Sequence, residues 1–225
     1  MASIVVSGDT SGAITLSAPA VSGTNTVTLP AATDTLVGKA TTDTLTNKTL
    51  TSPTISGTPV LGATLLASGT AVASTSGTSI DFTGLPSWVK RIVVMFNAVS
   101  LSGNSTFRIQ LGTGATPTYT TSGYVTFGVT FSASGLGAAT DTGGFPIGQN
   151  QTAAGITTYG GNCMITNVTG NTWSYMAMCG GSSATNGGLL GGGSVALGAV
   201  LTAVRVTTIN GTDTFDAGSI NIQYE

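Results

Sequence analysis

The sequence predicts an all-β protein, with extended N-terminal strands and a stalk followed by a jelly-roll-like β-sandwich. Three observations carry this expectation. Thr occurs 42 times in 225 residues, and its β-branched side chain suits a pleated strand better than a helix. Straight-chain helix formers are scarce: the single Glu is Glu225, and Lys occurs at Lys39, Lys48 and Lys90 alone. Hydrophobic residues make up 40% while charged residues make up 6%, so core material is ample and the surface is unusually neutral.

Residues 1–30 read as short strands broken by turns. Ile4, Val5 and Val6 form an apolar run, Gly8-Asp9 and Ser11-Gly12 punctuate it, and Ile14 and Leu16 alternate with Thr15 and Ser17. A further run, Thr24 to Leu29, stops at Pro30. Residues 31–65 are Thr-rich and of low complexity, with ATDTL at Ala32 returning as TTDTL at Thr41. As far as about residue 60, the single apolar residues (Leu36, Val37, Leu45, Leu50, Ile55, Val60) stand too far apart to close a core within one chain. The segment is therefore either a disordered linker or an extended stalk completed by neighbouring chains.

From residue 66 to 225 the strands lengthen into the predicted sandwich. Lys90–Leu101 is apolar on both faces and reads as a central strand. Phe107, Ile109 and Leu111 alternate with Arg108 and Gln110. Further strands are predicted at Tyr124–Phe131, Asn162–Val168, Thr172–Cys179, Val195–Leu201, Ala203–Ile209 and Ser219–Tyr224, a spacing typical of sandwiches. Asn210-Gly211 marks a turn before the last strand, where Ile220, Ile222 and Tyr224 face inward. The glycine runs Gly180-Gly181, Gly187-Gly188 and Gly191–Gly193 read as turns or neutral loops, since they lack the GK[ST] ending of a phosphate loop.

Charge narrows the function classes. The net charge is −2 and six Lys/Arg are spread over the chain, leaving no electrostatic basis for nucleic-acid binding. No run of about 20 residues is continuously apolar, so no membrane insertion is expected. The opening MASIVVSGDTSG has no positive region of a signal peptide, and assembly in a cytoplasm is the expectation. Between Asp141 and Arg205 lie 63 residues without one charge. Either this surface is buried against other copies of the chain, or it is polar and neutral.

The residues offer little for catalysis, and no catalytic, cofactor or metal site is expected. His is absent, which removes the commonest general base and zinc ligand. Asp213 and Asp216 lie three apart, but calcium needs six or more oxygens, and a turn role is the simpler reading; the same holds for Asp9, Asp34, Asp43 and Asp141. If the chain turns back at Thr169-Gly170-Asn171, Cys163 falls nearly opposite Cys179. A disulfide and a pair of buried thiols are both open, and cytoplasmic assembly favours thiols. The Asn-x-Ser/Thr sites at Asn47, Asn104, Asn150, Asn167 and Asn210 mean little without secretion. Trp88, Trp173, Tyr124 and Tyr175 are expected to pack the core or an interface. Tyr119 and Tyr159 read as lying in Gly/Thr-rich loops and are the two aromatics expected to be exposed for ligand stacking.

Two stretches bear a resemblance. SGAITLSAPAVSGTNTVTLPAATDTLVG (Ser11–Gly38) and KATTDTLTNKTLTSPTISG (Lys39–Gly57) resemble the N-terminal and stalk regions of tailed-phage and prophage fibre proteins. IDFTGLPSWVKRIVVMFNAVSLSGNS (Ile80–Ser105) and VRVTTINGTDTFDAGSINIQYE (Val204–Glu225) resemble a small C-terminal domain of phage virion proteins. The resemblance covers roughly half the chain. It implies a homotrimeric virion protein whose N-terminal segment meets other virion proteins and whose sandwich faces a host surface glycan or protein. Such a chain would be a short fibre subunit of tail or head. A capsid decoration or cement protein, and a carbohydrate-binding module, stay open as alternatives. Three chains would also let the sparse apolar residues of 31–65 meet around one axis.

Overall fold

The structure, a computed structural model, describes residues 3–7, 10–17, a few positions between 21 and 54, 66–132, 135–148, 158–182 and 187–225. The chain divides into two compact units, Met1–Pro59 and Val60–Glu225. In the first, β1 (Ser3–Ser7) and β2 (Ala13–Ser17) form an antiparallel hairpin with Val6 opposite Ile14 and Ile4 opposite Leu16. Ile4, Val5 and Val6 are all exposed. The strand expected at Thr24–Leu29 and the stalk expected over 31–65 lie almost entirely outside the described residues.

The second unit is built from strands alone among its described residues. They are β3 (Ala67–Ser68), β4 (Val72–Ala73), β5 (Ser79–Thr83), β6 (Arg91–Leu101), β7 (Phe107–Thr113), β8 (Thr118–Tyr119) and β9 (Val125–Ser132). They continue as β10 (Gly135–Ala139), β11 (Phe145–Ile147), β12 (Thr158–Thr169), β13 (Thr172–Ser182), β14 (Gly187–Ala196), β15 (Leu201–Thr208) and β16 (Phe215–Tyr224). The large sheet runs β10-β9-β14-β13-β12-β6-β16-β3, with β4 also on β16. The small sheet runs β11-β7-β15-β5, with β8 on β7. All pairs are antiparallel. β12, β13 and β14 form a meander, but β6 lies between β12 and β16, so the chain crosses from sheet to sheet, as a sandwich requires.

Alternation places one side chain of every two in the core. On β7, Phe107, Ile109 and Leu111 are fully buried; on β6, Ile92, Val94 and Phe96 meet them. Phe107 of the small sheet lies 5.4 Å from Phe96, 5.4 Å from Tyr159 and 6.2 Å from Phe215, all on the large sheet. A second set ties β11 across: the Phe145 ring stacks on Tyr175 at 4.4 Å and meets Tyr124 edge-on at 4.9 Å. The Tyr175 hydroxyl donates to the Pro146 carbonyl (3.0 Å), and the Tyr124 hydroxyl oxygen accepts from the Leu111 amide (2.9 Å). Both buried phenols thus keep a polar partner.

Lys90–Leu101 is central as expected, lying between β12 and β16. Two expectations are corrected. Gly187–Gly188 and Gly191–Gly193 are strand β14, and Gly180–Gly181 belong to β13. The glycines are there because neighbours approach closely. A Cβ at Gly188 would come within 2.6 Å of the Phe131 ring, and one at Gly191 would strike the Tyr175 hydroxyl. The strand expected at Val195–Leu201 also does not exist as one piece. β14 ends at Ala196, and Leu201 opens β15, with exposed Gly198–Val200 turning the chain between the sheets.

Phe107→Ala removes the ring that touches three large-sheet strands. It is expected to cost about 3–5 kcal/mol, read as a lower denaturant midpoint in equilibrium unfolding.

Candidate functional site

The two aromatics singled out for ligand stacking have different fates. Tyr119, on β8, is half-buried and pairs with Gly112 of β7. Its ring lies where a Gly112 Cβ would be, 2.9 Å from that position, so only glycine leaves it room. The Arg205 guanidinium sits 3.9 Å from the ring centroid. Arg205 is in turn held by Asp81 in a two-pronged pair, both contacts at 2.7 Å. Strand register makes this cluster: Arg205 of β15 stands opposite Asp81 of β5 and Gln110 of β7 on the outward face of the small sheet. One face of the Tyr119 ring is thus taken by the Arg205 guanidinium. Tyr159, expected in a loop, lies within β12 and is 1% exposed. It packs edge-on against Phe107 and over Gly148. Its Gly-rich surroundings are strand, because an aromatic ring fills the space that glycine leaves.

The same outward face carries a second charge pair. Arg108 of β7 meets both Asp141 oxygens at 3.1–3.2 Å, and Asp141 also accepts the Gly143 amide at 2.8 Å. Gln110 donates to the Gly143 carbonyl at 2.8 Å. The Asp141–Gly144 turn is therefore pinned over the small sheet by two side chains of β7. Arg91 pairs with Glu225 at the end of β6.

The remaining candidates do not assemble into a site. Asp213 accepts the Ser105 amide at 2.8 Å, while Asp216 accepts from the Ser100 hydroxyl. The turn itself is closed by Asn210, whose side-chain oxygen accepts the Thr212 and Asp213 amides at 3.1 and 3.0 Å. Among the described residues no three of His, Cys, Asp and Glu come together as a possible metal cage. Cys163 and Cys179 are free, buried thiols. Cys163 stands opposite Ala177 and Cys179 opposite Gly161, so the thiols are diagonal rather than directly paired. Diagonal neighbours lie about 7–8 Å apart, beyond the usual disulfide reach. Burial pushes the Cys163 thiol well up and the Cys179 thiol up to about 12.

The outward face of the large sheet is of opposite character. Leu190 stands opposite Val129 and Met178; Met176 stands opposite Met164; Phe131 faces Leu136. Val125, Phe127, Phe131, Leu136, Met176, Met178 and Leu190 are all exposed. This portion of the sheet, β10-β9-β14-β13-β12, bears no charged residue. Sequence reasoning registered the charge gap but could not place these side chains on one surface, because that requires the β9–β14–β13 register.

No model of a known protein family matches the chain, and no similar curated protein or solved structure is found.

Two measurements follow from the site chemistry. Neither thiol should react with a disulfide reagent in the native protein, and two per chain should react in denaturant; zero would mean a disulfide. Tyr119 is pushed up to about 12 by burial and the Asp81 carboxylate, and Tyr124 up to about 12 by burial. An unfolded tyrosine loses its proton near pH 10, so the unfolded state gains first. The two raised thiols, whose unfolded pKa lies at about 8.5, start the loss earlier: stability is complete below about pH 8 and falls as pH rises towards 12, read as a urea midpoint flat at neutral pH and dropping over that window.

Proposed function

We propose that the chain is a structural virion protein of a tailed phage, a short homotrimeric fibre subunit of tail or head. Its N-terminal segment would attach to other virion proteins, and its sandwich would face the host surface, in a role that is not enzymatic. The observation that carries this reading is the neutral, apolar outward face of β9, β14 and β13, on a chain with 6% charged residues. A surface of that kind suits burial against protein. The exposed Ile4, Val5 and Val6 of the N-terminal hairpin support it independently, since a lone two-stranded ribbon is marginal without a partner. The resemblance of Ser11–Gly57 and of the two sandwich stretches to phage fibre proteins gives the reading its biological setting.

A capsid decoration protein is the second reading. Residues 31–65 span at most roughly 120 Å when fully extended, short for a fibre that must reach a distant receptor. A carbohydrate-binding module has less support, because Arg205 covers Tyr119 and Tyr159 is buried, leaving the exposed Trp88 beside Tyr224.

Light scattering at micromolar concentration should give three times the chain mass of 22.1 kDa; a monomer would count heavily against the reading. Gold-labelled antibody on intact particles should mark the tail or a head fibre. Even label over the shell would select the decoration protein, and particles without label would remove the virion role.

A further inference from the structure

The proposed trimer leaves open which surface of the sandwich its subunits share. We propose that the copies meet through the outward face of the large sheet, centred on Phe127, Phe131, Leu136, Met176, Met178 and Leu190. This inference rests on the homotrimer reading and specifies its interface.

The six side chains are 42–81% exposed. Together they present on the order of 700 Å² of apolar surface, against 300–600 Å² for the largest patch of a typical monomer and about 800 Å² given by each partner to a standard interface. The area is therefore what one subunit contributes to a stable assembly. The rings of the patch are also uncrowded by large cross-strand neighbours. Gly192 stands opposite Phe127, and Gly188 opposite Phe131, so rings alternate with glycines rather than with bulky neighbours.

The chemistry selects a copy of the same chain as occupant. The strands around the patch offer no charge to an acidic or basic partner, a lipid headgroup or a nucleic acid. Around a threefold axis each copy can turn this same neutral apolar face inward, so that three patches close one shared apolar core. The chain's own 31–65 segment is a poor substitute, since its large apolar residues are few, spread among Thr, Ser and Gly, and interspersed with Asp34, Lys39, Asp43 and Lys48. The small sheet does not compete for this role, because its outward face carries the Asp81–Arg205 and Arg108–Asp141 pairs, which would have to be desolvated.

Full-length protein and the single variants Phe127→Asp and Met178→Lys test the interface by native mass spectrometry. Val200→Asp, exposed in the turn after β14 and off the patch, is the control. Wild type and Val200→Asp should be trimers, and both patch variants should lose the trimer while keeping wild-type far-ultraviolet circular dichroism. If the wild type is trimeric and the patch variants remain so, this interface is overturned and the trimer reading survives. A monomeric wild type overturns both. Should a patch variant fail to fold, a photocrosslinker at position 178 replaces it. Crosslinks between isotope-distinguished chains support the interface, and crosslinks to residues 31–65 of the same chain overturn it.

Discussion

Phe107 fixes the separation of the two sheets. Its ring projects from the small sheet and touches Phe96, Tyr159 and Phe215 on three strands of the large one. A chain so poor in charge has few ion pairs to organise it, so its order comes from apolar burial and the backbone ladders. Once these rings are inward, strand alternation leaves no freedom: Arg108 and Gln110 point out on one side, and Val93 and Met95 on the other. The Phe145–Tyr175 stack repeats the arrangement nearer the edge and holds β11, which is only three residues long.

The outcome is a sandwich with two dissimilar outer faces. The small sheet shows ion pairs, with Arg205 laid over Tyr119 and Arg108 holding the Asp141 turn. Guanidinium groups there stay partly hydrated while meeting carboxylates in fixed geometry. The large sheet shows Phe, Met, Leu and Val between glycines. Such a difference costs a lone molecule solubility on one side and becomes sensible once that side is covered. The glycines of β14 serve both faces: inward, Gly191 makes room for the Tyr175 hydroxyl, and outward, Gly188 lets the Phe131 ring lie down.

Much of the fold was legible. Period-two patterning identified β7 and β16, because one buried face leaves a direct imprint on a strand, a run apolar on both faces identified β6, and apolar runs between turn signals located β9, β12, β13 and β15. β14 was misread as loop because glycine has no side chain to alternate; its strand character comes from neighbours on both sides. β10 and β11 were not anticipated, being five and three residues long with Gly or Pro inside. Tyr159 was misplaced for the same reason as β14: glycine beside an aromatic looks like an exposed loop when it is the space the ring occupies. The diagonal offset of Cys163 and Cys179 depended on the β12–β13 register, which a turn alone does not fix to the residue.

Composition alone set that this protein is built of strands, and residue order set that 142–204 bear no charge, because β-branching and charge belong to single residues. Tertiary structure decided where that neutrality lies. Val125–Phe131, Met176–Met178 and Leu190 are far apart in the chain and join one surface only through pairing of β9, β14 and β13. It likewise placed Asp81 beside Arg205, 124 residues away. Contacts across that separation are set by which strands become neighbours, and that choice is made by packing of the whole core rather than by any local pattern.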